Sequence, residues 1–292
     1  MSENIEVIGG NRFAVLNNAN FNEVMGLVRN EHVYGVMVSR RAGFCDRDLS
    51  CLKEIPELKA LLVSDEEGAE VHLAGIECLP NLEQLHLYSS RCFDFSVVES
   101  LIKLKELRFG VIKGQVFPSK SMPSVVNLYI DGYPFADLNS LSVFSGLTSL
   151  ELTSPRRLEN LESLICFPAL RELRLAYCPK LHDLSGLGFV PALRKLEIDS
   201  SKNIHKIVIP DVLQCLEKLV ITKSARLDRI DWVVSLLGLK YLVLMDVDVC
   251  GGDLLPLRRL SSLEYLMVRP SKKHYNLDLA GLMLEVSRRK NS

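Results

Sequence analysis

Apolar residues, mostly leucine, recur along this chain in one short pattern, L-x-x-L-x-L. Eleven copies of the pattern begin at intervals of 21 to 25 residues. Their first positions are Val33, Leu58, Leu82, Leu104, Val125, Leu147, Leu170, Leu193, Leu216, Leu239 and Leu263. A fixed period of this length is typical of a solenoid, in which short repeats stack on one another and none forms a core alone.

Alternation inside each copy predicts a short β-strand. The apolar positions 1, 4 and 6 point into the stack, whereas positions 3, 5 and 7 point outward. The return segments carry apolar residues three apart, as at Leu158, Leu161 and Leu164, a spacing that favours 3-10 or single helical turns. The predicted fold class is an α/β repeat solenoid, an arc with an eleven-strand parallel β-sheet on its concave face and short 3-10 or helical turns on its convex face.

Residues 170–187 (LRELRLAYCPKLHDLSGL) and 193–210 (LRKLEIDSSKNIHKIVIP) show the pattern best. On these residues the chain resembles the leucine-rich-repeat (LRR) family over residues 33 to 271. The period is similar to that of the short-repeat class, typified by internalins and leucine-rich phosphatase regulators. The resemblance implies a solenoid that works through its long exposed face.

Position 9 departs from the family pattern. There the resemblance implies an Asn or Cys whose side chain satisfies backbone groups at the turn, but no copy carries Asn. The residues at position 9 are Arg41, Glu66, Ser90, Ile112, Tyr133, Pro155, Cys178, Ser201, Ser224, Val247 and Ser271. Five of these, Ser90, Cys178, Ser201, Ser224 and Ser271, resemble the expected small polar or thiol residue. At the other turns we expect backbone amides without a side-chain partner, and we expect irregular curvature, worst between Ile112 and Pro155.

Both ends of the chain are predicted to be caps, which cover the apolar edges of a stack. Residues 1–32 are expected to form a hairpin that turns at Gly9 and Gly10, followed by a helix that starts at Asn20. Residues 33–275 hold the repeats, and residues 276–292 form a last helix capped by Asn276. Docking of a partner is the alternative use of this last helix.

Composition narrows the class of partner. The net charge is −1, which gives no strong field for nucleic acid or an anionic membrane, so neither is predicted as a partner. No segment has 18 uninterrupted apolar residues, and the first residues lack a secretory pattern. The eight cysteines form no C-x-x-C pair and are expected to be reduced thiols in a cytoplasmic protein.

Motifs for catalysis are absent from the sequence, and the six histidines never fall in metal-ligand spacing, so we expect no enzyme, no metal and no cofactor. The remote alternative is a hydrolase that uses Glu197 and Asp199, at positions 5 and 7 of one strand. Arg174 should lie beside Glu197 on the adjacent strand, and such an ion pair would lower rather than raise the pKa of that carboxyl.

Outward positions of the middle strands predict a partner-binding patch. Its members are His86, Tyr88, Arg108, Tyr129, Asp131, Glu151, Arg174, Tyr177, Glu197 and Asp199. Two interpretations are compatible: the alternating charges relieve repulsion between neighbouring strands, and the tyrosines and arginines serve recognition, because these residue types dominate interface hot spots.

The last strands instead present an apolar patch. It consists of Val220, Tyr241, Val243, Met245, Tyr265 and Met267. The final helix could cover these side chains, or they could form a second docking site, since contiguous exposed apolar area marks interaction.

The function expected from these observations is a protein-binding scaffold that recognises another protein through its concave face. A narrower version is a cytosolic inhibitor or immunity protein that grips an enzyme. The alternative is the recognition module of a larger receptor or of a ubiquitin-ligase-type effector.

Overall fold

A computed structural model describes residues 5–65, 72–89, 95–111, 114, 116–204, 209–224 and 226–289. The chain divides into two compact units. The N-terminal unit comprises Met1–Asp131 and Val143–Gly146, and the C-terminal unit comprises Gly132–Ser142 and Leu147–Ser292. No helix in the described part of the chain has the length and apolar character needed to cross a membrane.

The N-terminal unit contains a sheet of seven strands and one helix among its described residues. In chain order they are β1 (Ile5–Ile8), β2 (Asn11–Leu16), α1 (Phe21–Arg29), β3 (Gly35–Ser39), β4 (Ala60–Asp65), β5 (Gln84–Ser89), β6 (Glu106–Gly110) and β7 (Asn127–Asp131). Strands β1 and β2 are antiparallel, and Gly9 and Gly10 turn between them at positive φ, which glycine adopts without strain. From β2 to β7 every neighbouring pair is parallel.

The C-terminal unit contains six parallel strands and a helix among its described residues. They are β8 (Ser149–Thr153), β9 (Glu172–Ala176), β10 (Lys195–Asp199), β11 (Lys218–Thr222), β12 (Tyr241–Met245), β13 (Tyr265–Arg269) and α2 (Leu279–Arg289). Neighbouring strands pair without any shift of register, so that Leu173 lies beside Leu196 and Arg174 beside Glu197.

The predicted register is confirmed. Each of the eleven L-x-x-L-x-L copies forms one strand that begins at position 3, from β3 to β13. Inward positions are buried, as at Leu170, Leu173 and Leu175, each no more than 1% exposed. The expected count of eleven strands is corrected, because β2 adds a parallel strand before the first repeat and β1 pairs with β2. The residues of β2 lack the leucine pattern. They form a strand because they pair with β3, and not because they belong to a repeat.

Short 3-10 helices form on the return segments, as the three-residue spacing predicts. They span Ser50–Glu54, Ile76–Cys78 and Val98–Ser100 in the N-terminal unit, and Asn139–Leu141, Glu162–Cys166, Ser185–Phe189, Asp231–Ser235 and Leu255–Arg259 in the C-terminal unit. Five of them follow an Asp or Asn whose side-chain oxygen accepts the backbone N–H two residues later, at 2.8 to 3.2 Å. These residues are Asp48, Asp137, Asn160, Asp183 and Asp253. This local hydrogen bond starts the turn and is a second repeat signal, D/N-L-x-x-L.

Backbone groups close the turns that follow strands β7 to β12. Position 8 adopts a left-handed conformation, with φ between 47° and 77°. The residues are Gly132, Ser154, Tyr177, Ser200, Lys223 and Asp246. Each of their N–H groups donates to the carbonyl at position 7 of the next strand, at 2.8 to 3.0 Å. This ladder needs no particular side chain, which explains how the chain tolerates such different residues there.

Side chains at position 9 make hydrogen bonds at several turns of the C-terminal unit. The Ser201 hydroxyl accepts the N–H of Cys178 at 3.3 Å, and the Ser224 hydroxyl accepts the N–H of Ser201 at 3.4 Å. Tyr133, fully buried, donates its hydroxyl to the Asp137 carbonyl at 2.7 Å, and burial raises its pKa. The two serines thus fill their turns as small polar residues at position 9 should, and the unsatisfied amides expected at the other turns stay a prediction. Glu66, Ser90 and Ile112 lie outside the described residues, and irregular curvature stays a prediction.

Helix α1 begins at Phe21, directly after Asn20, as predicted, but the side chains of Asn20 and Asn276 do not cap the two helices. The Asn20 side chain accepts the N–H of Asn17 and donates to the Val15 carbonyl, so it ties the preceding loop instead of α1. Asn276 accepts the N–H of Leu254. Asp278 caps α2, because its carboxylate accepts the N–H of Gly281 at 3.1 Å. In both cases backbone groups of the neighbouring loop or repeat compete for the amide.

Helix α2 buries Leu279, Leu282 and Val286, and the Arg289 guanidinium donates to the Leu260 carbonyl at 3.1 Å. The terminal caps, with the boundaries given above, remain a prediction. The packing of α2 allows its role as a cap to be tested. Leu282→Ala should lower the free energy of unfolding by about 2–5 kcal/mol, because it removes a side chain that is 2% exposed. Urea unfolding followed by circular dichroism measures the change.

The matched control is Leu284→Ala in the same helix, where the leucine is 55% exposed and little change is expected. Equal, small effects of both substitutions would show that α2 is a dispensable tail and not a cap.

Candidate functional site

Each sheet has one face that carries positions 3, 5 and 7 of its repeats; we call it the open face. In the N-terminal unit, register places His86 of β5, Arg108 of β6 and Tyr129 of β7 side by side in one row of position-5 residues. Tyr88 follows on β5 and is 45% exposed, and Asp131 is exposed at the end of β7. The unshifted parallel pairing thus brings these five predicted residues onto one face.

Glu106, at position 3 of β6, holds two members of this row. Its Oε1 atom lies 2.8 Å from His86 Nε2 and 2.7 Å from Arg108 Nε. The Glu106 side chain is 15% exposed and that of His86 is 12% exposed. Hydrogen bonds from His86 and from Arg108 lower the pKa of Glu106 to about 2, against the opposing effect of burial. The carboxylate is therefore a fixed anion at the base of the row.

Aromatic rings complete this arrangement. The Arg108 guanidinium carbon lies 5.9 Å from the centre of the Tyr129 ring, within range of a cation–π contact. The rings of His86 and Tyr88 meet edge to face, with centres 6.2 Å apart. Below we call Glu106, His86, Tyr88, Arg108 and Tyr129 the Glu106 cluster.

The C-terminal unit carries a charge ladder at position 5. Arg174 Nη1 lies 2.6 Å from Glu151 Oε1, and Arg174 Nε lies 3.6 Å from Glu197 Oε2. Lys218 Nζ reaches Glu197 Oε1 at 2.6 Å. The expected pair of Arg174 and Glu197 is confirmed, and two cations neutralise two carboxylates. Tyr177, the remaining aromatic member of the predicted patch, is 56% exposed at a left-handed turn.

The carboxylates of the hydrolase alternative are both engaged. Glu197 receives a cation on each oxygen. Asp199 accepts the Thr222 hydroxyl on one oxygen and the Ser200 hydroxyl, at 3.2 Å, on the other. A water molecule or sugar hydroxyl would have to displace these partners, so the arrangement supports charge neutralisation better than acid–base chemistry.

The predicted apolar patch forms around two stacked rings. Tyr241 and Tyr265 lie 4.2 Å apart at an angle of 9°. Val243 is buried, whereas Val220, Met245, Tyr265 and Met267 each keep part of their surface exposed. Helix α2 packs against β13 and leaves these four side chains partly open to solvent.

Within the described residues, no three His, Cys, Asp or Glu side chains converge in a way that suits a metal ion. His205 and Cys92 lie outside the described part of the chain. The other seven cysteines are unpaired thiols.

Sequence reasoning missed Glu106 and Lys218, the residues that fix the two rows. Both occupy position 3 of their repeats, and position 3 points outward by the same alternation as positions 5 and 7. A comparison of the position-3 residues of all repeats would have found them, but it would not have shown which neighbouring residue each one binds.

The pKa of Glu106 gives a prediction for pH. Because the pKa is about 2 in the folded protein against an ordinary value of 4.5, the ionised carboxylate stabilises the fold above about pH 4.5. That stabilisation is lost as the pH falls toward 2. Glu106→Gln should therefore lower the free energy of unfolding at pH 6, and its difference from the wild type should shrink between pH 4.5 and 2.

Urea unfolding at pH 6, 4 and 3 measures this difference. Glu83→Gln is the control, since it removes an exposed carboxylate partner of Lys105 and should change little at any of these pH values. A deficit in Glu106→Gln that does not vary with pH would contradict the assignment.

No protein-family model and no curated protein sequence matches this chain. Solved structures do resemble it. A leucine-rich-repeat protein of Leptospira interrogans superposes with a TM-score of 0.61 at 15% identity, over 89% of this chain and 67% of that one. An internalin (inlF) of Listeria monocytogenes superposes with a TM-score of 0.52 at 16% identity, over 86% and 77%. Together with the eleven repeats in register, these likenesses show that the chain has the leucine-rich-repeat fold.

Proposed function

We propose that this protein is a non-enzymatic scaffold that binds another protein through the open face of its repeats, with the Glu106 cluster as its principal contact. The observation that carries the proposal is the Glu106 carboxylate, which binds both His86 and Arg108, with the exposed Tyr88 in edge-to-face contact with His86. Arginine and tyrosine are enriched among the residues that contribute most to protein interfaces.

Preorganisation makes this cluster a better contact than an equal number of mobile side chains. Glu106 holds the Nε of Arg108, and the ring of Tyr129 lies against the same guanidinium. An arginine that is already ordered loses less conformational entropy when a partner binds.

The charge ladder of the C-terminal unit has a weaker claim to binding. Glu151, Arg174, Glu197 and Lys218 already satisfy one another. Such charges at an interface act more on specificity and association rate than on affinity. Asp131 and Tyr177, which are exposed, extend the proposed contact in their own units.

The narrower form of the proposal is a cytoplasmic inhibitor or immunity protein that covers part of an enzyme. Two observations support it. The Glu106 cluster lies on an open sheet face, which suits a folded protein surface better than a small molecule. The seven described cysteines are free thiols, as is usual in a reducing compartment.

Simultaneous replacement of Tyr88, Arg108 and Tyr129 by alanine tests the proposal. These side chains lie outside the core, so circular dichroism should show an intact fold. Loss of a hot-spot contact costs about 2 kcal/mol or more, so affinity for the partner should fall by about 30-fold or more. Affinity capture from native extract, followed by calorimetry with the purified partner, measures the loss.

The matched control replaces Lys53, Glu54 and Ile102, which are exposed on return segments of the same unit, and should leave affinity unchanged. If the open-face variant folds and keeps its affinity, the binding site lies elsewhere, and the patch around Val243, Met245 and Met267 is the next to test.

A further inference from the structure

A groove runs along the start of strands β9 to β13, at positions 2 and 3 of the repeats. Its volume is about 680 Å³, within the range of roughly 300–1,000 Å³ that ligand pockets occupy. It belongs to the C-terminal unit and shares no residue with the Glu106 cluster.

The two ends of this groove differ in chemistry. Cations gather over β9 to β12; they are Arg171, Arg194, Lys195, Lys218 and Lys240. Tyr241, the first residue of β12, lines the other end, and the ring of Tyr265, the first residue of β13, stacks on it. A ligand lying across the strands therefore meets positive charge first and an aromatic surface second.

Carboxylates of the groove leave part of this positive charge uncompensated. Lys195 pairs with Glu172 at 2.6 Å. Glu217 serves two cations, Arg194 at 2.8 Å and Lys240 at 3.5 Å. Lys218 is neutralised by Glu197 of the charge ladder. The other four cations face the three carboxylates of the groove, which leaves an excess of one positive charge.

Two exposed side chains at opposite ends of the groove are without a partner in the described part of the chain. The Arg171 guanidinium, at the cationic end, makes no hydrogen bond or ion pair there, nor does the Glu264 carboxylate at the aromatic end. An incoming carboxylate satisfies the first, and a peptide N–H satisfies the second.

We propose that this groove binds an extended acidic segment of another protein. The carboxylates of the segment lie over Arg171, Arg194 and Lys195, and an aromatic or long apolar side chain stacks on Tyr241 and Tyr265. Four strand intervals span about 19 Å, which an extended segment of about six residues covers. The interleaved carboxylates of the groove disfavour a nucleic-acid backbone, because a phosphate on every nucleotide would meet repulsion.

An array of random hexapeptides, probed with the intact protein, tests the proposal. The enriched peptides should carry carboxylates at one end and an aromatic residue at the other. Fluorescence anisotropy with the best peptide should show about tenfold weaker binding, or more, for the double variant Arg194→Met and Lys195→Met, because charge-assisted hydrogen bonds are lost. Tyr265→Ser should weaken binding similarly, and added salt should weaken it in the wild type.

The matched control is Lys105→Met. Lys105 occupies position 2 in the N-terminal unit and pairs with Glu83 at 2.8 Å, so its loss should leave the peptide affinity within about twofold of the wild type, as a remote surface change should. If the double variant fails to fold, Arg171→Met provides a second test, because the Arg171 side chain makes no contact on which the fold depends. This substitution should also weaken peptide binding.

Enrichment of basic or uncharged peptides, or no enrichment at all, would overturn the proposal. Equal affinity in the wild type and in the folded groove variants would overturn it as well. A twelve-nucleotide oligouridine that displaces the best peptide more strongly than the unlabelled peptide does would assign the groove to nucleic acid instead.

Discussion

Parallel pairing without a shift of register is the constraint on which the rest of this structure depends. One repeat of about 23 residues cannot bury its own leucines, so it is stable only against neighbours that present the same inward positions. Once Leu173 lies beside Leu196, every other position is fixed as well: Arg174 must face Glu197, and Glu172 must face Lys195. Successive side chains of a strand point to opposite faces, so the register also decides which rows of side chains are buried and which are exposed.

This constraint explains how much the sequence reveals. The leucine period predicts the eleven repeat strands, their register and the 3-10 return segments, because these depend on burial alone. It does not reveal the left-handed turns at position 8. Tyr177 and Lys223 carry no local signal for that conformation, which their backbone bonds to the next strand impose.

Side-chain hydrogen bonds were the least predictable feature, because contacts with neighbouring segments decide them and the local sequence does not. Asn20 and Asn276 each have the residue type of a helix cap, yet both are taken by backbone groups of the adjoining loop or repeat. Tyr133 fills a turn where the family pattern implies Asn, and only its depth of burial explains why a tyrosine works there. Glu106 became visible as the centre of a site only through its distances to His86 and Arg108.

The open faces of the two units differ in how their charges are used. In the N-terminal unit a single, largely buried carboxylate contacts both a histidine and an arginine beside the rings of Tyr88 and Tyr129. In the C-terminal unit the ladder through Arg174 satisfies itself, while cations without full compensation collect at the start of the strands. Unshifted pairing places both arrangements, because it decides which side chains of adjacent repeats meet.

Cysteine accessibility along β9 measures directly which side chains the unshifted register buries. Single substitutions by cysteine at Glu172, Leu173, Arg174 and Leu175 of β9 are treated with a maleimide, and the reaction at each site is followed by peptide mass spectrometry. We expect rapid reaction at positions 172 and 174 and protection at 173 and 175, with all four reacting in denaturant. Protection at 174 or rapid reaction at 173 in the folded protein would show that the register, and every surface assigned from it, is wrong.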